Sequence, residues 1–76
     1  MEEVNTLHQN AMTIFEWAEA HRMRGKMTRQ SRDYQDYVRT AYTLESRAAE
    51  LCPSDLEPTK SVLTRSARDL GLMLKG

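Results

Sequence analysis

Both prolines of the chain, Pro53 and Pro58, lie in one short segment, CPSDLEPT, between two longer runs with helical spacing. Proline lacks the N–H that a helix interior requires and disfavours helix in the residue before it. One helix must therefore end just before this corner, and another must begin within residues 54–59. Two registers fit that start: a capping box from Ser54 to Glu57, or a first helical position at Pro58.

Apolar residues on each side of the corner recur every three to four positions, which is typical of one face of a helix. The pattern predicts a first helix from Glu3 to about Arg24, ended by Gly25, and a second from Thr28 or Ser31 to about Leu51. A third helix then runs nearly to the end of the chain, where glycine at position 71 weakens it by about 1 kcal/mol relative to alanine. The predicted core comprises Leu7, Ala11, Ile14, Tyr37, Val38, Ala41, Leu44, Ala48, Val62, Leu63, Ala67 and Leu70.

Short connections force consecutive helices to pack side by side in opposite directions. We therefore expect an all-α fold, a three-helix up-down-up antiparallel layer that forms one domain over residues 1–76. A chain of 76 residues buries only a modest core and is marginal in stability, so a partner is a natural supplement.

Three segments carry a resemblance to a known family: IFEWAEAHRMRG, DYQDYVRTAYTLESRAAEL and EPTKSVLTRSARDLG. Together they resemble a tetratricopeptide-type helical hairpin followed by the first helix of the next repeat, over residues 7–71. Ala41 matches a small packing position, Tyr42 an aromatic one beside it, and Pro53 the proline that closes a unit. The basic connection GKMTRQSRD is longer than a standard turn within a repeat. The resemblance implies a protein-binding module of about one and a half units.

Repeats of this kind bury their apolar faces by stacking, so one and a half units should leave apolar surface uncovered. We expect a protein partner or a second copy of the chain to cover it. The alternative is a self-sufficient three-helix layer, in which both faces of the first helix are packed against the rest of the chain. The predicted protein-binding residues are Met12, Trp17, Met23, Val62, Leu70, Met73 and Leu74.

The sequence predicts no enzyme, cofactor, metal site or small-molecule substrate. His8 and His21 are thirteen positions apart with no Cys or carboxylate at metal-ligand spacing, and both are expected on polar faces. Asp33 and Asp36 are interpreted as charges that stabilise a helix start. Cys52 has no possible disulfide partner within the chain and is interpreted as a small apolar residue at a helix end.

Charge is balanced overall, with 11 basic and 11 acidic residues, but one stretch is uneven. No acid interrupts the basic residues between positions 22 and 32. We call this set the basic corner: Arg22, Arg24, Lys26, Arg29 and Arg32. It suits an acidic protein surface or, as the less favoured alternative, the phosphates of a nucleic acid.

The chain begins with acidic residues and has no apolar run of signal-peptide or membrane-spanning length, which favours a cytoplasmic protein without membrane contact. The sequence therefore favours a non-catalytic interaction module, such as an adaptor, an inhibitor or a small subunit of an assembly. Two alternatives stay open: an accessory subunit that binds nucleic acid through the basic corner, and a helical protein that forms a homodimer.

Overall fold

The computed structural model describes residues 1–74 and contains three helices over that range: α1 (Glu2–Met23), α2 (Arg32–Leu51) and α3 (Thr59–Leu72). The prediction of an all-α protein is confirmed. Contacts across the first connection join residue 19 to 34 and residue 8 to 45, so α1 and α2 run in opposite directions. Contacts across the second connection join residue 49 to 60 and residue 35 to 73, so α2 lies between α1 and α3 and antiparallel to both.

Gly25 ends α1 as predicted, with a positive φ of 75°. Its N–H donates to the Arg22 carbonyl at 3.0 Å, and the N–H of Lys26 donates to the His21 carbonyl at 2.9 Å. This pair of bonds satisfies carbonyls that the helix end would otherwise leave unpaired.

The start of α3 differs from the capping-box register. The helix begins at Thr59, too late for Ser54 to cap it, so that register is wrong. Pro58 is the N-cap of α3, one position before the first helical position that the second register gave it. Glu57 acts from just outside the helix, because its carboxylate accepts the Ser61 N–H at 3.1 Å and also the Ser61 hydroxyl. At α2, Ser31 takes the N-cap position, one of the two predicted.

The core has two apolar clusters, one near each end of the helical layer. The first contains Ala11, Ala18, Tyr34, Val38, Ala41 and Leu70, and the second contains Val4, Ala48, Ala49, Cys52 and Leu63. Alanine at so many contact positions lets the helix axes approach closely.

Several residues depart from the predicted core. Val62 is 57% exposed and does not belong to it, which corrects the prediction at that position. Two polar residues, Gln35 and Glu45, are buried although neither was expected inside. The predicted core residues that are only partly buried are Leu7, Ile14, Tyr37 and Leu44.

Candidate protein-binding groove

A groove of about 580 Å³ lies between α1 and α3, on the side where these two helices flank α2. Met12 and Phe15 line it from α1, and Val62, Arg65, Asp69 and Met73 line it from α3. Most of the lining is apolar, and its charged residues among the described part of the chain are Arg65 and Asp69. The groove therefore offers apolar contact with one cation and one anion at defined places.

A smaller cleft of about 200 Å³ continues the groove toward the start of α1. Val4, His8 and Thr59 line this cleft, while Pro58 and Val62 are common to both cavities. The two cavities together form one depression along the whole length of α3.

Two side chains fix α3 to the middle helix, one at each end. Lys60 donates through Nζ to the Ala49 carbonyl near the end of α2. At the other end, Nε2 of the buried Gln35 donates to the Met73 carbonyl at 3.1 Å and to the Arg29 carbonyl at 2.8 Å. The groove wall formed by α3 is therefore held in place along its length.

A polar pair between α1 and α2 separates the two core clusters. Nδ1 of His8 lies 2.9 Å from both carboxylate oxygens of Glu45, whose side chain is completely buried. A carboxylate oxygen accepts hydrogen bonds, and the imidazole tautomer that carries its proton on Nδ1 is the one that donates to it. The pair fixes the register of α1 on α2, since any slip would leave a buried carboxylate without its donor.

The sequence contained a signal for this pair. Glu45 occupies a position on the apolar stripe of α2, between Ala41 and Ala48, and His8 occupies the matching position between Val4 and Ala11. A charged residue within an apolar stripe indicates a buried partner. The prediction that His8 lies on a polar face is wrong for this reason.

A second polar group joins the helices near the first connection. The Glu19 carboxylate accepts two bonds from Arg22, at 2.8 and 3.1 Å, and a third from the Tyr34 hydroxyl. The bonds from Arg22, followed by the bond from Tyr34, lower the pKa of Glu19 from 4.5 to about 2. Burial, followed by the bond to this carboxylate, raises the pKa of Tyr34 above its usual range. The group therefore holds α1 against α2 while Glu19 is ionised.

The predicted apolar binding residues fall into three groups. Met12, Val62 and Met73 lie together in the groove, and Leu70 contributes to its floor. Leu70 is only 4% exposed, so the expectation that it lies uncovered is wrong. Leu74 is half-buried against the first core cluster.

Two other predicted binding residues lie outside the groove. Trp17 is 60% exposed and Met23 is 78% exposed. Trp17 follows Phe15 by two positions, which places it roughly 200° around α1 from the groove lining. The structure therefore does not bring these residues together with Val62.

The basic corner is smaller than the sequence indicated. Arg22 is neutralised by Glu19, and Arg29 lies close enough to Glu19 and Tyr34 to interact with both of their side chains. The remaining members, Arg24, Lys26 and Arg32, are exposed and form no ion pair within residues 1–74. Three cations are therefore left to meet an external charge.

Comparison of this chain with protein-family models, with curated protein sequences and with solved structures gives no match. The resemblance to tetratricopeptide repeats thus stays a prediction. The hairpin of α1 and α2 extends from Glu2 to Leu51, whereas a repeat unit has about 34 residues.

Within residues 1–74, no group of three or more His, Cys, Asp or Glu side chains is placed to hold a metal ion. None of the described helices combines the length and the apolar character that crossing a membrane requires.

Proposed function

We propose that this chain is a non-catalytic protein–protein interaction module that receives a helix of its partner in the groove between α1 and α3. The observation that carries the proposal is an apolar groove whose wall includes Val62, a valine that is 57% exposed. Water-exposed apolar surface of this kind costs free energy that a binding partner recovers.

The lining favours a protein over a small polar ligand. Met12, Phe15 and Met73 are flexible or aromatic apolar residues, the types that protein interfaces enrich. A long apolar depression between two helices suits an amphipathic helix, which presents side chains every three to four residues.

The polar side chains that come closest to a reactive arrangement already have structural partners. His8 is bonded to Glu45, and Glu19 is bonded to Arg22 and Tyr34. The bonds from His8 to Glu45 and from Tyr34 to Glu19 join α1 to α2, which favours a structural role for them over catalysis. A reducing cytoplasmic location belongs to the same proposal, supported by the single buried thiol of Cys52.

The basic corner gives the module a preferred orientation toward acidic partners. Arg24, Lys26 and Arg32 lie at the end of the layer near the first connection, outside the groove lining. Changing all three to Glu should leave helicity and melting temperature nearly unchanged but weaken partner binding, and the loss should shrink as salt rises. A nucleic acid that copurifies with the wild type and is lost from this variant would instead support the nucleic-acid alternative.

Site-specific photocrosslinking tests the groove directly. A photoreactive amino acid at Val62, introduced in the cells from which the chain comes, should form a covalent adduct with a protein. The same amino acid at Thr43, an exposed position on α2 outside the groove lining, is the matched control. Adducts from position 62 but not from position 43 support the proposal, and equal or absent adducts contradict it.

A further inference from the structure

The length and ends of the groove identify the size of its occupant. The depression extends from Pro58 to Met73, which is the span of α3 itself. A helix of 14 residues is about 21 Å long. A segment of the same length as α3 therefore fills the groove from end to end.

The charges of the groove identify the direction of that segment. Arg65 and Asp69 are exposed, lie one helical turn apart on the same wall, and form no ion pair with each other or with another described residue. A cation and an anion one turn apart form a self-complementary pattern. If two copies of α3 pack antiparallel, Arg65 of each copy meets Asp69 of the other, as a two-fold interface requires.

The same register also pairs exposed apolar residues. An antiparallel alignment that places Arg65 opposite Asp69 places Val62 opposite Leu72, and these residues are 57% and 77% exposed.

A parallel arrangement of the two copies satisfies the charges less well. A two-fold axis parallel to the helices would place Arg65 of one copy level with Arg65 of the other, and Asp69 level with Asp69. Like charges that face each other across an interface cost free energy. The antiparallel arrangement places opposite charges at these positions instead.

The dimensions of the molecule suit an interface of this kind. The Cα atoms extend over 41 × 24 × 15 Å, so the chain is a flat layer with one broad face on each side. The longest extent, 41 Å, exceeds the length of about 21 Å of a 14-residue helix such as α3.

We propose that the occupant of the groove is α3 of a second copy of this chain, packed antiparallel about a two-fold axis with reciprocal pairs between Arg65 and Asp69. The inference rests on the proposed function, because it names the partner of the same groove. Each copy inserts α3 between α1 and α3 of the other, and the dimer core consists of four helices.

Sedimentation equilibrium of charge-reversal variants tests this arrangement. The wild type should form a dimer, and Arg65→Glu or Asp69→Arg alone should weaken self-association by about tenfold, since each reversal makes both reciprocal contacts repulsive. An equimolar mixture of the two variants should recover most of the affinity, because both contacts are attractive in the mixed dimer. Circular dichroism confirms that every variant remains helical.

Arg47→Glu is the matched control, because Arg47 is an exposed arginine on α2 that lies outside the groove lining and away from α3. It should leave the association constant within about twofold of the wild type. A monomeric wild type, an unchanged association constant in both single variants, or a mixture no tighter than its components overturns the inference. If the wild type is monomeric while position 62 still crosslinks to a different protein, the second copy is excluded and the proposed function stands.

Discussion

At the scale of single residues, the fold depends on a few polar side chains inside an alanine-rich core. His8 and Glu45 lie between the two apolar clusters and fix how α1 is placed on α2. A buried carboxylate has few alternatives to its native partner, so this pair gives the packing a single register at some cost in stability.

Replacement of His8 by Ala should lower the free energy of unfolding by about 1 to 3 kcal/mol, because Glu45 stays buried without a donor. Urea denaturation measures the change. The double variant with Glu45→Leu should recover part of the loss, since it removes the stranded carboxylate. If His8→Ala unfolds at the same urea concentration as the wild type, the pair has no role in fixing the register.

The lowered pKa of Glu19 predicts that the stability of the folded protein depends on pH. Its pKa in the folded protein is about 2, below the ordinary value of 4.5, so its contribution is fully present above pH 4.5 and is lost as the pH falls toward 2. The carboxylate is partly exposed to solvent, which limits the contribution to about 1 kcal/mol.

Melting temperatures of the wild type and of Glu19→Gln, measured at several pH values, isolate this residue from the other acids. The wild type should melt higher at neutral pH, and the difference should vanish near pH 2. A difference that stays constant with pH would show that the ionised carboxylate is not the stabilising group.

At the scale of elements, α3 contains a residue that is unfavourable for the helix itself but favourable for its packing on α2. Glycine at position 71 is unfavourable inside a helix. A Cβ at that position would lie 2.9 Å from Cε1 of Tyr42 on α2. Gly71 therefore leaves room for the tyrosine ring to lie across α3. This contact between two helices explains the glycine, whereas helix propensity alone counts it only as a weakness.

A double-mutant cycle at Gly71 and Tyr42 tests this contact. In a Tyr42→Ala background, Gly71→Ala should stabilise the protein by about 1 kcal/mol through helix propensity. With Tyr42 present, the clash should cancel or reverse this gain, giving a coupling of about 1 kcal/mol in urea denaturation. An equal effect of Gly71→Ala in both backgrounds would mean that the ring moves aside without cost.

The same scale shows what the sequence could predict. Helix number, type and most of the boundaries follow from Gly25, from Pro53 and from the apolar spacing, because these signals act within one element. The groove side of α3 and the partners of Glu45 depend on how two helices face each other, so periodicity along one helix could not determine them. The sequence analysis assigned Val62 both to the core and to a binding surface. The packing of α3 decides between these two roles, because it leaves Val62 exposed.

At the scale of the whole molecule, three helices form a flat layer with an apolar groove on one side. Lys60 and Gln35 fix α3 to α2 at both of its ends, so the groove does not depend on a loosely attached wall. The two outer helices pack on α2, and the groove between them is open to solvent.

Thiol labelling in intact cells tests most directly whether the groove is occupied. Val62→Cys places a thiol in the groove, Thr64→Cys places one on the outer side of α3, and the native Cys52 is only 2% exposed and contributes little background. We expect the thiol at position 62 to react with a maleimide several-fold more slowly than the thiol at position 64 in cells, while the two rates converge in dilute purified protein. Equal rates in cells would contradict the claim that this groove binds a protein.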